Sequence, residues 1–135
     1  MKMKRILYMI IGVTLLLTGC DKEYSDNGHL DGFWQLTSSP GITGSFQGHI
    51  LELRDVNKVH QDIIMSFSRE GDVLKLSAPY RVDRDSDDVA LQDADLLKPY
   101  GISETSVVFR IVELTSHRMV LDDTNNTVRL EFRKY

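Results

Sequence analysis

The chain has 135 residues, 41% of them hydrophobic, and a formal net charge of -4, and its length fits one domain. Three of its 16 basic residues, Lys2, Lys4 and Arg5, lie at the start, so residues 20–135 keep 13 basic against 20 acidic residues and carry -7. Nucleic-acid binding requires clustered Lys and Arg. The acidic balance therefore argues against a nucleic-acid partner.

Residues 1–19 have the pattern of a secretory signal peptide. The apolar run from Ile6 to Leu17 is about 12 residues long, too short to cross a bilayer as a helix. It ends in L-T-G-C, with Cys20 last, which resembles the lipobox of bacterial lipoproteins. In that class a diacylglycerol is attached to the Cys sulfur and the peptide is cut before it. The resemblance implies a protein anchored in the cell envelope through Cys20, most simply at the outer membrane; the alternative is an ordinary signal peptide containing a cysteine.

The segment 20–28 is polar and predicts a tether between the lipid and a domain at 29–135. Lys22-Glu23 weakly resembles the surface-export signals of some Gram-negative anaerobes, and a plain solvated linker explains it equally well. The side of the membrane therefore stays open. Because Cys20 is the only cysteine, no disulfide framework is expected.

From Leu30 onward the apolar residues alternate with period two in several short segments, which predicts β-strands. A two-residue hairpin loop at 70–71 would pair Phe67 with Leu74 and Met65 with Leu76, leaving polar residues on the other face. This pairing predicts a hairpin with one apolar face.

Pairing residues across an assumed loop also predicts a hairpin with one apolar face in the C-terminal segment. With Asn125-Asn126 as a two-residue loop, Leu121 pairs with Leu130 on one face and Asp122 with Arg129 on the other. Asn tolerates the positive φ that such loops require.

A three-residue loop at 115–117 would extend this sheet by one strand. It places Ile111 opposite Leu121 and Arg110 opposite Asp122. Asp122 is then expected between two arginines on the outer face, which supports the register of the strands rather than a function.

Further strands are predicted at Gly32–Thr37, Gln47–Arg54 and Pro79–Asp83. Seven or eight short strands joined mostly by hairpins favour an all-β fold, an antiparallel up-and-down barrel that leaves no exposed sheet edge.

The connection from Arg84 to Thr105 is too long for a hairpin and is expected to be a lid or a binding loop. Within it, Asp93 is predicted to cap one helical turn that Pro99 ends.

The first strand begins Gly32-Phe33-Trp34, which resembles the G-x-W signature of lipocalins. In that family the Trp closes one end of an eight-stranded barrel and an Arg of the last strand packs over it. The resemblance implies this role for Trp34, with Arg129 or Arg133 as its partner.

A wider pattern covers nearly the whole chain: the L-T-G-C box, the polar tether, L-D-G-F-W-Q-L-T-S, an acidic loop before K-P-Y-G-I, and the terminal T-V-R-L-E-F-R-K. It resembles a group of small lipocalin-like lipoproteins of Gram-negative gut anaerobes. The resemblance implies a fold and a compartment but no ligand, because function belongs to sites rather than folds.

The acidic loop is the one candidate for a metal site, since Asp83, Asp85, Asp87 and Asp93 follow a spacing similar to calcium loops. The helix-loop-helix calcium pattern also needs Gly at its sixth position and Glu at its twelfth. Asp88 and Ala94 stand there instead, so we expect a solvated acidic loop. No metal and no cofactor are predicted.

The sequence contains no motif for nucleophilic or metal-assisted catalysis, so we do not expect an enzyme. Two functions are open. The barrel binds a small apolar or amphipathic ligand, or its interior is filled by side chains and the protein is an interaction module of the envelope. The residues predicted to line the interior are Trp34, Phe46, Ile63, Met65, Phe67, Leu74 and Leu76. The sequence leaves the oligomeric state open.

Overall fold

A computed structural model describes residues 27–83, 85–125 and 127–135. The predicted signal peptide, Cys20 and most of the predicted tether lie outside the described residues. Within the described part, no helix combines the length and the apolar character needed to cross a membrane.

Short strands make up most of the described chain, with two 3₁₀ helices beside them. The helices are η1 (Gly28–Leu30) and η2 (Asp95–Tyr100). The strands are β1 (Gly32–Leu36), β2 (Ile42–Gln47), β3 (Ile50–Asp55), β4 (Ile63–Glu70), β5 (Val73–Arg81), β6 (Val89–Ala90), β7 (Val107–Leu114), β8 (Arg118–Asp123) and β9 (Arg129–Lys134).

Eight of these strands form a closed antiparallel barrel, as the alternating pattern predicted. Their order is β4-β3-β2-β1-β9-β8-β7-β5, and pairing between β4 and β5 closes the ring. The short strand β6 lies outside it and pairs with the end of β5. Closure leaves the eight strands without an unpaired edge that could recruit another chain.

The barrel has two different ends. The base holds η1 and the turns at 48–49, 71–72 and 116–117, which join β2 to β3, β4 to β5 and β7 to β8. The mouth holds the connections at 56–62, 82–106 and 124–128. Asn27 is fastened at the base, because its side-chain amide donates to the Gly48 carbonyl at 3.0 Å and its own carbonyl accepts from Arg69 at 2.8 Å.

The predicted loop of the β4–β5 hairpin is wrong by one residue. Phe67 pairs with Leu76 and Glu70 with Val73, so the loop is Gly71-Asp72. Gly71 has a φ of +57°, and a glycine at the first position suits a two-residue hairpin turn. Moving the loop by one residue shifts the pairing by two residues, so the same side chains stay on one face. The predicted apolar face is therefore the one that is buried.

The C-terminal registers are confirmed. Leu121 pairs with Leu130 and Asp122 with Arg129, while Ile111 pairs with Leu121. The loop between β7 and β8 differs from the prediction, because a bulge between Ile111 and Glu113 shifts the register by one. The turn is therefore two residues, 116–117, with the Thr115 N–H bonded to the Arg118 carbonyl at 2.8 Å.

Two predicted strands have wrong boundaries. The segment 47–54 spans the β2–β3 turn at 48–49, so it divides into the last residue of β2 and most of β3, on which Leu51 is buried and Ile50 is exposed. The segment 79–83 begins inside the end of β5 rather than forming a strand of its own.

Candidate functional site: the barrel interior and its lid

The seven residues predicted to line the barrel all lie in its interior. They belong to one hydrophobic cluster, and each is at most 4% exposed. The aromatic rings of Phe46 and Phe67 meet edge to face, with centroids 5.0 Å apart, a favoured geometry for aromatic pairs. The inward direction of these side chains follows from the two-residue period of the strands. Their role in holding a ligand stays a prediction.

Trp34 closes the base, as the G-x-W resemblance implied. Its side chain is fully buried, and its indole N–H donates to the Leu30 carbonyl of η1 at 2.8 Å. This bond satisfies the one polar atom of a large apolar side chain and fixes η1 across the end of the barrel.

The cation above Trp34 is a lysine, so the prediction of Arg129 or Arg133 is wrong. Lys134 Nζ lies 4.5 Å from the centre of the Trp34 ring. The two arginines have outward partners: Arg129 binds Asp122, and Arg133 donates to the side chain of Gln35 at 3.0 Å. The physical reason is strand alternation, which turns residues 129, 131 and 133 away from the interior.

Lys134 also ties η1 to the last strand. Its ammonium group donates to the His29 carbonyl at 3.0 Å and to the Asp31 carbonyl at 2.5 Å. Sequence reasoning missed this residue, because Lys134, the last residue of β9, reaches η1 only through the pairing of β9 with β1.

The mouth is covered by η2 and the residues just after it. Leu97, Tyr100 and Ile102 are buried and belong to the same hydrophobic cluster as the barrel interior. Beyond Leu76, β5 pairs with β6 instead of β7. The strands β5 and β7 therefore separate near the mouth, and the connection between them passes over this end of the barrel. The expectation that this connection is a lid agrees with its position; the sequence did not show that its side chains complete the core.

We call η2 and the residues after it as far as Ser103 the lid, and it is held mainly by apolar contacts. Among the described residues, η2 donates to the rest of the barrel through the Tyr100 hydroxyl, which bonds to the Gln61 carbonyl of the β3–β4 connection. After η2, the Ser103 hydroxyl donates to Asp123 of β8 at 3.3 Å. The other hydrogen bonds of η2 close within the segment 93–102. Burial raises the pKa of Tyr100 above its ordinary value, and the nearby carboxylates of Asp62 and Asp55 raise it further, so its hydroxyl stays a donor.

The predicted ends of this helical turn need correction. The N-cap position is Ala94, and Asp93 acts one residue earlier by accepting the Asp95 N–H at 3.1 Å. Pro99 lies inside η2, and the helix ends at Gly101, which has a φ of +79°. Pro99 is the fifth of the six residues of this short 3₁₀ helix, and the left-handed conformation of Gly101 then ends the helix.

The acidic loop binds its own backbone. Asp83 accepts the Asp85 N–H at 3.0 Å and the Ser86 hydroxyl at 2.8 Å, and these bonds lower the pKa of Asp83. In the part of the chain that the structure describes, no three His, Cys, Asp or Glu side chains are grouped to hold a metal ion.

A buried carboxylate organises the β3–β4 connection at the mouth. Asp55 accepts the N–H groups of Asn57, Val59 and His60 at 2.9 to 3.1 Å. Burial raises the pKa of Asp55, but these three donors outweigh it and hold the pKa below its usual value. The connection therefore presents Gln61 in a fixed position to the lid.

A groove opens at the mouth next to the contact between Tyr100 and Gln61. Its walls carry charges of both signs. The charged residues lining it are Arg54, Lys58, Arg81, Asp55, Asp62, Asp83 and Asp85, and His60 also lines it. Gln61, whose carbonyl accepts from Tyr100, belongs to the same lining and so joins this polar groove to the lid.

The outer face of the C-terminal sheet has the predicted charge arrangement. Arg129 binds both oxygens of Asp122, at 2.7 and 3.0 Å, and Arg110 adds a weaker electrostatic attraction. The Arg129 hydrogen bond holds the pKa of Asp122 below its usual value. The group is exposed and stabilises the strand register.

Comparison with known proteins identifies the fold. A family model described as a lipocalin-like domain matches residues 15–135. A crystal structure of a lipocalin-like protein from Bacteroides uniformis has a TM-score of 0.58 and 17% identity, over 80% of this chain and 100% of that one. An uncharacterized protein from Bacteroides eggerthii has a TM-score of 0.55 and 16% identity, over 78% and 98%. No curated protein matches the sequence.

Proposed function

The chain belongs to the lipocalin-like family, and from this premise we propose that it is a lipid-anchored envelope protein whose barrel binds a small amphipathic ligand beneath the η2 lid. Secretion would use residues 1–19 as the signal peptide, and Cys20 would carry the lipid. No catalysis is included in the proposal.

The lid carries the ligand-binding proposal. Leu97, Tyr100 and Ile102 cover the mouth with buried side chains, yet this segment is joined to the barrel by side-chain hydrogen bonds, from Tyr100 to Gln61 and from Ser103 to Asp123, rather than by a ladder of backbone bonds. A segment attached in this way opens more easily than a strand of the barrel, which would lose a whole ladder of backbone hydrogen bonds. Its opening would expose the apolar interior at one end.

The chemistry of the mouth favours an amphipathic ligand over a purely apolar one. The interior offers hydrocarbon and aromatic surface, while the groove beside Gln61 offers cationic and anionic groups. Binding sites of this kind bury the apolar body of a ligand and orient it by a few polar contacts. The ligand class is therefore a small molecule with an apolar body and one polar end.

The Tyr100→Phe substitution tests the lid. It removes the hydroxyl that bonds to Gln61 and keeps the ring, so the closed state loses about 0.5–1.5 kcal/mol. If the closed lid limits binding, the open fraction rises and the apparent Kd for a fluorescent apolar probe, N-phenyl-1-naphthylamine, falls roughly two- to tenfold. Tyr80→Phe is the matched control, because Tyr80 is exposed on β5.

Native mass spectrometry of the protein purified from its envelope fraction completes the test. A bound mass of lipid size that is lost in the presence of excess probe supports the proposal. No bound mass, together with equal probe affinity for the parent protein and both variants, would end it. Separately, Cys20→Ala should move the protein from the membrane to the soluble fraction; retention on membranes would refute the lipid anchor.

One observation favours a second function. The interior side chains of the described residues are buried, each at most 8% exposed, so side chains alone can fill the barrel. In that case the protein would be an interaction module of the cell envelope with a side-chain-filled barrel. An empty barrel in native mass spectrometry, combined with specific binding to one envelope protein, would select this function.

A further inference from the structure

The base of the barrel carries exposed apolar side chains, two of them aromatic. Phe33 is 64% exposed and Tyr135 is 78% exposed. They are neighbours across β1 and the end of β9, because the Tyr135 N–H donates to the Phe33 carbonyl at 2.9 Å. We call this surface the base rim, and its remaining members are Ile50, Val73 and Val112, which lie at the base ends of β3, β5 and β7.

The N-terminal chain leaves the barrel at this same end. Asn27 is fastened to the turns of the base through Gly48 and Arg69. Only residues 21–26 separate it from Cys20, a length that reaches at most roughly 25 Å. To bring the mouth to the bilayer instead, the same chain would have to run along the outside of a barrel whose strands are five to nine residues long, about 17–30 Å.

The net charge also differs between the two ends. Eleven acidic residues lie at the mouth: Asp55, Asp62, Asp83, Asp85, Asp87, Asp88, Asp93, Asp95, Glu104, Asp122 and Asp123. The described basic residues at this end are Arg54, Lys58, Arg81, Lys98, Arg110 and Arg129, which leaves a net charge of -5. At the base, the five acidic residues Asp31, Glu70, Asp72, Glu113 and Glu131 outnumber the four basic residues Arg69, Arg118, Arg133 and Lys134 by one, for a net charge of -1. An anionic lipid surface therefore repels the mouth more strongly than the base.

Exposed apolar side chains also occur at the mouth: Val56, Val59, Val89, Val128 and Tyr80. Tyr80 is 41% exposed, less than Phe33 and Tyr135. The mouth side chains lie beside the acidic connections, a setting that suits solvent better than an anionic surface. The rings of Phe33 and Tyr135 suit the interface of a bilayer, where aromatic side chains place an apolar body near the acyl chains.

From the exit of the chain, the two exposed rings and the charge distribution, we infer that the base rim is a membrane-contact surface that holds the barrel upright on the bilayer with its mouth away from the lipid. The inference rests on the proposed anchoring through Cys20. It specifies that the lid opens toward the aqueous side, so a ligand enters from solution rather than from the lipid.

The experiment uses the full lipidated protein with one engineered thiol. Cys20 is the only native cysteine and its sulfur would carry the lipid, so a new cysteine is the only reactive one. Gln47→Cys places a label at the base, and Val59→Cys places it at the mouth. Each labelled protein is reconstituted in vesicles of phosphatidylethanolamine with about one quarter phosphatidylglycerol and lipids that carry a nitroxide quencher at the headgroup.

The label at position 47 should be quenched at least about twofold more strongly than the label at position 59, because quenching falls steeply with distance from the interface. Adding Phe33→Ser and Tyr135→Ser should remove this difference. Val56→Ser is the matched control at the mouth and should leave the difference intact. Trp34 emission checks that each variant is folded.

The outcomes separate the two proposals. If mass spectrometry finds no lipid on Cys20, the anchor is refuted and the orientation with it. If the lipid is present and both labels are quenched equally, or position 59 more strongly, only the orientation is refuted. A difference that survives the Phe33 and Tyr135 substitutions would show that the tether alone orients the barrel, which overturns the base rim as a contact.

Discussion

The Lys134→Met substitution tests how the base of the barrel is closed. In the structure the ammonium group of Lys134 donates to the carbonyls of His29 and Asp31 and lies 4.5 Å above the Trp34 ring. Methionine keeps an unbranched stem of similar length and removes only the charge and the donors. The matched control is Arg133→Met, one residue away, whose side chain donates to Gln35 on the outer surface.

The magnitude follows from the contacts that Lys134 loses. A hydrogen bond from a charged donor contributes about 1.5–3 kcal/mol net, with the lower value suited to the exposed His29 contact. The cation–π contact adds about 0.5–1 kcal/mol. Because the three share one ammonium group and are not additive, we expect a loss of roughly 2–3 kcal/mol for Lys134→Met. Arg133→Met should cost less than about 0.5 kcal/mol, as surface substitutions do.

Urea unfolding of residues 21–135 measures this difference. Trp34 is the only tryptophan and is fully buried, so its emission reports the opening of the base, while circular dichroism reports the strands. With a slope of about 1–3 kcal/mol per molar urea for a small domain, a loss of roughly 2–3 kcal/mol should lower the Lys134→Met midpoint by roughly 0.7–3 M. The midpoint of Arg133→Met should stay within experimental error of the parent.

Hydrogen exchange locates the effect. The backbone amides of η1 should exchange faster in Lys134→Met, because the bonds from the Lys134 ammonium group to the His29 and Asp31 carbonyls hold that helix against the barrel. Equal unfolding midpoints for the two variants would refute the role of Lys134. A larger loss for Arg133→Met would instead restore the arginine that the family signature implied.

Three further predictions concern the lid, the acidic mouth and the core. Gly71→Ala and Gly101→Ala both place a side chain at positive φ, which costs about 1–2 kcal/mol. A Cβ at Gly101 would also lie 2.5 Å from Leu130 Cδ2, while a Cβ at Gly71 meets open space. Gly101→Ala should therefore lower the thermal unfolding midpoint more than Gly71→Ala, and equal losses would contradict the packing of the lid. Asp55→Asn should destabilise the protein at neutral pH, because the three N–H donors favour the ionised form of Asp55. The difference in free energy of unfolding between parent and variant should disappear as the pH falls below about 4 and through the lowered pKa of Asp55. A difference that does not change with pH in urea titrations would refute this. Phe109→Ala should cost about 3–5 kcal/mol in the same titrations, because Phe109 is fully buried on β7; a loss below about 1 kcal/mol would mean that the interior is loosely packed there.

The strand faces were predictable because alternation is a local property of the chain. Met65, Phe67, Leu74 and Leu76 are buried even though the predicted hairpin loop was one residue out. Moving the loop by one residue shifts the pairing by two residues, so different residues lie opposite each other while the same side chains stay on the buried face. The register of Leu121 with Leu130 was predictable as well, since a tight loop and two alternating segments leave few ways to pair.

The bulges were not predictable from the pattern. The bulge after Ile111 adds one residue to β7, and the turn that follows is one residue shorter than predicted. The two differences from the prediction cancel, so Ile111 still pairs with Leu121. A second irregularity lies between Ile64 and Ser66, opposite a stretch of β5 in which Ala78 has a φ of +51°. Bulges bend a strand to suit barrel closure, a requirement of the whole sheet that no short segment expresses.

By itself, the sequence determined the all-β class, the apolar faces of the β4–β5 and C-terminal hairpins and the presence of one long connection, because each depends on neighbouring residues. The resemblance to the G-x-W signature supplied the role of Trp34. The tertiary structure decided what residues far apart in the chain do together. Lys134 lies over Trp34 because β1 and β9 are neighbours in the closed barrel, and Leu97, Tyr100 and Ile102 complete the core because the connection folds back over the mouth. The net charge of -4 is a property of the chain, whereas barrel closure places most of the excess acidic residues at the mouth and few at the base.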